Sequence, residues 1–159
     1  LIREIDLTDS RQALELLMLQ QLSYRIEAQL IGFKEIPPLF DSPKSLLDSG
    51  ELFFGCYDHE YLTGAISVKQ ALKELIICRM MVHPQYFRRG IASSLLEFIE
   101  GLAIPGSPVK VSTGTNNEPA FRLYRKHGYE PAQVLDISPG ITLTVFYKVA
   151  GVHPPKPSL

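Results

Sequence analysis

The sequence predicts a mixed α+β domain, a sheet with helices packed on its faces. Three observations lead there. Short segments with period-two alternation recur along the chain, and segments with helical spacing lie between them. One longer apolar run, Glu74 to Val82, reads as a central strand. The resulting order is strand, two helices, a run of strands, helix, strand, helix, strands.

Ile2 to Leu7 alternates apolar and charged residues, as a half-buried strand does. Asp9 offers a helix cap with Gln12 three residues on, resembling a capping box, and Leu14, Leu17, Met18 and Leu22 follow at helical spacing. This helix is expected to run to about Ile31, where Gly32 stops it. The next segment, GFKEIPPLFD, cannot be a clean helix, because Pro37 and Pro38 remove amide donors and fix the chain. Ser42 followed by Pro43 starts a second short helix that Gly50 closes. LFFGCY and YLTGAISVK are strand-like, with Asp58-His59-Glu60 as the hairpin turn between them. His83-Pro84 ends the central strand. In FRRGIASSLLEFIEGL, Ile91, Leu95, Phe98, Ile99 and Leu102 share one helical face, and Ser93, Ser94, Glu97 and Glu100 lie opposite. Val109 to Ser112 is a short strand, Asn117 to His127 a helix capped by Gly128, and Ile141 to Val149 a closing strand. One domain is expected over residues 1–150, followed by a Pro-rich tail, 151–159, with nothing to bury.

Composition removes several classes. The 159 residues fit a single core, and 45% hydrophobic with 21% charged residues is ordinary for a globular chain. Lys and Arg number 16 against 17 acidic residues, so the basic excess a nucleic-acid partner requires is absent. No stretch reaches the ~18–20 apolar residues of a membrane span, so no membrane partner is expected. Cys56 and Cys78 sit in apolar stretches and read as reduced thiols; the four histidines lack metal spacing, so no metal is expected. The start, LIREIDL, does not read as a secretory signal, and the missing Met points to a trimmed or omitted residue. A cytoplasmic location is the expectation.

The strongest chemical signal is the junction VHPQYFRRGIAS, where a buried strand ends and a helix begins near Gly90. A helix start exposes unpaired amide donors at a positive dipole end, which suits an anion. Gly90 and Ala92 are small enough for a diphosphate to approach the backbone, and Arg88 and Arg89 add cations.

VHPQYFRRGIASSLL resembles motif A of the GCN5-related N-acetyltransferases (GNAT), whose form is Gln or Arg, two residues, Gly, one residue, then Gly or Ala. NEPAFRLYRKHGYE resembles their motif B, with Asn117, Ala120, Leu123, Tyr124, Gly128 and Tyr129 in the family's order. The resemblance covers about Leu52 to Tyr147. It implies the GNAT fold, a mostly antiparallel twisted sheet of six to seven strands flanked by about four helices. It further implies an N-acetyltransferase that moves an acyl group from acetyl-CoA, its co-substrate, to a primary amine of a small molecule or peptide by direct attack. The pyrophosphate would lie on the amides of Arg88, Arg89, Gly90, Ile91, Ala92 and Ser93. The backbone of Met81 and Val82 would pair with the pantetheine arm, which Asn117 would also hold. Phe87 stands where the family has Gln or Arg, so one side-chain contact to phosphate is missing. A homodimer is a further expectation, since dimers occur in the family.

The same resemblance directs the Tyr124 hydroxyl at the CoA sulfur. A thiol like Cys has a pKa of about 8.5 and a phenol about 10, so full proton transfer from Tyr to thiolate is uphill by ~2 kcal/mol. Hydrogen bonding to the departing thiolate carries no such penalty. For the base that deprotonates the amine, Glu74 opens the central strand where several relatives carry an acidic residue; Glu27 and Asp41 lie on segments bordering the acceptor side. The competing reading is a non-catalytic sensor or partner domain of the same fold that holds acyl-CoA without turnover.

Overall fold

A computed structural model describes residues 1–151. Strand β1 (Ile2–Glu4) is shorter than its alternation suggests. The reason is local: the Asp6 carboxylate accepts from both the amide (2.9 Å) and the hydroxyl (2.6 Å) of Thr8, turning the chain out of the strand. Helix α1 (Ser10–Ile31) then begins at Asp9, whose carboxylate accepts from the Arg11 amide at 3.0 Å. Gln12 reaches back past the cap to accept from the Asp6 amide at 3.0 Å, so it ties the helix to the preceding turn. Gly32 ends the helix in a left-handed conformation, and its amide bonds the Ala28 carbonyl. A 3₁₀ turn, Pro37–Phe40, leads to the short helix α2 (Pro43–Asp48), which Ser42 and Ser45 cap reciprocally.

Strands β2 (Leu52–Asp58), β3 (Tyr61–Gln70) and β4 (Leu75–Val82) follow as an antiparallel meander. A 3₁₀ turn at Pro84–Tyr86 precedes helix α3 (Ile91–Glu100), which leads to β5 (Pro108–Gly114) and α4 (Glu118–Lys126). A long hairpin, β6 (Glu130–Ser138) with β7 (Ile141–Val149), closes the fold. The sequence bounded only its second strand. The first is an edge strand with solvent on both faces, exposed along most of its length, so no burial pattern marks it.

Among the described residues the sheet has seven strands in the order β1-β2-β3-β4-β5-β7-β6, antiparallel except where β4 meets β5. Its two faces carry separate cores. Leu95, Leu96 and Ile99 of α3 bury against Ile66, Val68, Leu75 and Ile77 on one face. Leu16, Leu19, Ala28 and Ile31 of α1 bury against Phe53, Ala65 and Met81 on the other. Each fully buried Leu, Ile, Val, Phe or Met among these contributes roughly 1.5–3 kcal/mol.

The expected apolar face of α1 is corrected here. Leu14, Met18 and Leu22 are exposed, and the buried side is Ala13, Leu16, Leu19, Gln20, Tyr24, Ala28 and Ile31. The helix is apolar on two sides, and the side that meets the sheet includes polar residues with partners there. The tail expected over 151–159 lies, after Gly151, outside the described residues.

Candidate functional site

Three features of β4 shape the site. The first is its short contact with β5: only Leu75, Ile76 and Ile77 pair, with Val109, Lys110 and Val111. Beyond that point the strands part, leaving Cys78–Val82 and Ser112–Gly114 on either side of a gap.

The second is a bulge. Val68 pairs with Ile77 and Ser67 with Arg79, so Cys78 is an extra residue in β4. Without it Arg79 would share a face with Leu75 and Ile77; with it, the guanidinium turns toward α1. There it holds Glu51 through Nε (3.0 Å) and Nη2 (3.1 Å), Gln20 through Nη1 (2.9 Å), and Asp41. Ser67, Ser45 and Gln20 complete the carboxylates' shells. Asp41, expected to border the acceptor side, is thus committed to a structural ion pair.

The third is the free edge. The Met80 amide donates to the Tyr24 hydroxyl and the Val82 amide to Ser23 Oγ, each at 3.3 Å, the long end for such bonds. By strand alternation the backbone of Met81 faces β3, where it pairs with Ala65. Of the two residues expected to offer backbone to a pantetheine arm, Val82 has an amide on the gap; Met80, not Met81, is its companion.

The loop after β4 fits a phosphate group. Arg88 (φ 64°) and Gly90 (φ 75°) are both left-handed. Such residues turn successive amides toward one side and form an anion-binding concavity. The first helical bond of α3 runs from the Ser94 amide to the Gly90 carbonyl (3.0 Å), so the amides of Ile91, Ala92 and Ser93 precede the ladder. A Cβ at Gly90 would meet nothing within 4 Å, so the space over the loop is open. The helix start is fixed by Gly64 of β3, where a Cβ would approach Ile91 Cγ2 to 2.6 Å. Arg89 stacks over Tyr86 at 4.9 Å, Arg88 and Phe87 are exposed, and Ser93 Oγ meets His127 Nε2 at 2.9 Å.

Opposite the free edge, α4 brings Tyr124, 3% exposed. It lines a cleft of about 140 Å³ with Tyr24, Glu27, Pro38, Cys78, Arg79, Thr113 and Asn117. Tyr124 comes from the α4 side of the sheet and Glu27 from the α1 side, so the gap between β4 and β5 lets them face each other. Burial pushes the Tyr124 hydroxyl well above the usual phenol value, and the Glu27 charge pushes it further. Burial also raises Glu27, against hydrogen bonds from Asn117 and Thr113 that favour its charged form. Asn117 additionally caps α4, its Oδ1 accepting from the Ala120 amide at 3.3 Å. The Cys78 thiol is pushed up to about 11, chiefly by burial and then by the Glu51 charge, so it stays protonated near neutral pH.

Glu74 is not part of this group. It precedes β4 at the end where the strand still pairs with β5, eight residues before Val82, or about 26 Å of extended chain. In the apolar connection after α1, Ile36 is buried and Phe33 and Leu39 pack beside it, Pro37 and Phe40 are exposed, and Pro38 is the one that lines the cleft. A larger hollow of about 940 Å³, between the C-terminal ends of α3 and α4, shares no residue with the cleft and borders Gly151, the last described residue. Among the described residues no cluster of three His, Cys, Asp or Glu side chains could hold a metal, and no helix is long and apolar enough to cross a membrane.

Residues 49–131 match the family model described as acetyltransferase (GNAT) domain. The chain is 36% identical over 135 residues to the UPF0157 protein YqkA of Bacillus subtilis (strain 168), covering 85% of this chain and 39% of that protein. It thus spans about two fifths of that curated relative's length. Among solved structures, PaiA N-acetyltransferase from Thermoplasma acidophilum in complex with coenzyme A superposes with a TM-score of 0.74 at 19% identity, over 94% of this chain and 98% of that one. An aminoglycoside 6'-N-acetyltransferase complexed with coenzyme A gives 0.74 at 13% identity, over 98% and 99%. At these identities the superpositions establish the fold.

Proposed function

The chain belongs to the GNAT acetyltransferases, and we propose that it moves an acyl group from acetyl-CoA to a primary amine by direct attack within the cleft between β4 and β5. The observation that carries the reading is the buried Tyr124 hydroxyl in one cleft with Met80 of the β4 edge, on the strand that leads into the amide-rich turn before α3. Two solved structures of the same fold are complexes with coenzyme A, which is consistent with a CoA thioester as the donor.

The thioester supplies an activated carbonyl and a thiolate leaving group. The amides of Arg88 to Ser93 bind phosphate oxygens, with Arg88 supplying charge. The edge amides of Met80 and Val82 exchange their long bonds to Tyr24 and Ser23 for an extended ligand, as in strand addition. Tyr124 donates a hydrogen bond where negative charge develops on sulfur. Its raised pKa makes complete proton transfer less favourable than for a free phenol, so stabilisation of the charge is its role.

The test is acetyl-CoA-dependent thiol release over polyamines, amino acids, aminoglycosides and peptide N-termini. Turnover with a primary amine is the expected result. Tight acetyl-CoA binding without turnover across the panel would instead identify a binding module.

A further inference from the structure

Five salt bridges join the described residues, and none includes Glu27. Yet this carboxylate lies in the cleft, among Tyr24, Tyr124, Thr113 and Asn117. Burying a carboxylate without a cation is unfavourable, and such charges are normally paired. The one cation lining the cleft, Arg79, is already held by Asp41 and Glu51. Asn117 and Thr113 beside Glu27 favour its charged form but bring it no positive charge.

Helix α1 explains how Glu27 comes to be there. Tyr24, Glu27 and Ile31 follow one another along the helix side that crosses the gap. Tyr24 bonds to β4 through the Met80 amide, and Ile31 packs on Gly114 of β5. Glu27 lies between these two contacts, on the opposite side of the sheet from the α3 turn.

Resting on the acyl-transfer reading above, we infer that Glu27 receives the protonated acceptor amine as its missing counter-ion and takes its proton before attack. The acceptor class is accordingly an aliphatic primary amine that arrives as an ammonium ion. The balance is simple. The ammonium gives one proton to Glu27, and the freed nitrogen lone pair forms the C–N bond. The C–S bond breaks with its electron pair going to sulfur, hydrogen-bonded by Tyr124. The second nitrogen proton ends on the thiolate, and Glu27 returns the first to solvent. Protonation of Glu27 also removes the negative charge facing Tyr124, which makes that hydroxyl a better donor as sulfur departs.

The titratable and charged groups facing Glu27 are Tyr24 on its own helix, Tyr124 on α4, and Cys78 and Arg79 on β4. Both tyrosines and the thiol are raised, so they stay protonated near neutral pH, and Arg79 stays charged. Glu27, raised above the usual carboxylate value by burial, is therefore the group in this set left to exchange a proton with the amine.

The experiment compares wild type with Glu27→Gln, Glu27→Asp and Glu74→Gln, using the amine from the panel that turns over fastest. Expected for Glu27→Gln is a fall in kcat/KM of roughly 100-fold or more. The acid limb of the pH profile disappears, Glu27→Asp retains part of the activity, and acetyl-CoA affinity is unchanged by thermal shift. A readout without ligands accompanies this. A raised folded pKa means that the stability linked to Glu27 is present at low pH and lost as pH rises through that value. Glu27→Gln therefore melts above wild type at neutral pH, and the difference vanishes in acid. Wild-type kcat/KM with an unchanged pH profile in Glu27→Gln overturns the inference, as does loss in Glu74→Gln with Glu27→Gln intact. Absence of acetyl-CoA binding and thiol release in wild type overturns the acyl-transfer reading itself, and the inference with it.

Discussion

Replacing Arg79 by Met tests the network that sets the α1 face of the cleft. The side chains of Arg79, Asp41 and Glu51 are 11%, 14% and 10% exposed, so the variant leaves two carboxylates largely out of water without a cation. Breaking a buried pair from one side costs about 3–5 kcal/mol. The lower end applies because Ser45, Gln20 and Ser67 still bond the carboxylates. About 3 kcal/mol corresponds to roughly 6–12 °C in melting temperature for a chain of this size. The pH dependence has a definite sign. Burial alone would raise Asp41, but hydrogen bonds from Ser45, Arg79 and Gln20 and the Arg79 charge outweigh it and hold the carboxyl below its usual value. A depressed carboxyl pKa gives stability that is present above the unfolded value of about 3.9 and lost as pH falls through the folded one. The difference between wild type and Arg79→Met should therefore shrink as the medium is acidified below about pH 4. The chain has no tryptophan, so urea unfolding is best followed by circular dichroism. A loss under about 1 kcal/mol at neutral pH, or one that persists undiminished in acid, would refute the reasoning.

Three further outcomes follow from the geometry. Tyr124→Phe should lower kcat roughly 100-fold, the scale of one donor to developing charge, with acetyl-CoA affinity within about twofold of wild type; unchanged turnover removes the hydroxyl from the mechanism. Gly90→Val forces a β-branched residue into a left-handed conformation at about 1–2 kcal/mol and fills the open space over the turn, so its Kd for CoA should rise far more than that of Phe87→Ala. Calorimetry giving the reverse ranking would mean that phosphate binds elsewhere. Gly114→Ala places a methyl 2.3 Å from Ile31 Cγ2 and should destabilise the chain by ~1–3 kcal/mol in thermal melts, with Ile31→Ala restoring part of the loss.

What the sequence made legible was what local chemistry dictates. Caps at Asp9 and Ser42, the stop at Gly32, the turn at His59-Glu60 and the helix start at Gly90 each depend on residues within one turn of one another. The face of α1 was not legible, because its spacing supports two apolar sides, and the buried one carries Gln20 and Tyr24 for partners on β4 and the Pro37–Phe40 turn. Nor was the role of Arg79, since a bulge visible only in the β3–β4 register decides which way it faces. That Glu74 lies away from the gap was hidden for a related reason. Distance from the gap depends on where β4 and β5 stop pairing, and no periodicity in either strand marks that point. Glu27 offered a weak signal, a charge at helical spacing from Tyr24 and Ile31, which gains meaning only once α1 lies across the opening.

The parting of β4 and β5 makes the sheet a wall with a window. The α3 turn stands on one side of that wall and Glu27 on the other, so on the proposed acyl-transfer reading a donor and an acceptor would reach the gap from opposite faces. On that reading the two products would be free to depart in either order. Helix α1 is the sill of the window: through Ser23 and Tyr24 it touches the edge of β4, while three residues beyond Tyr24 it presents Glu27, the proposed seat of the amine.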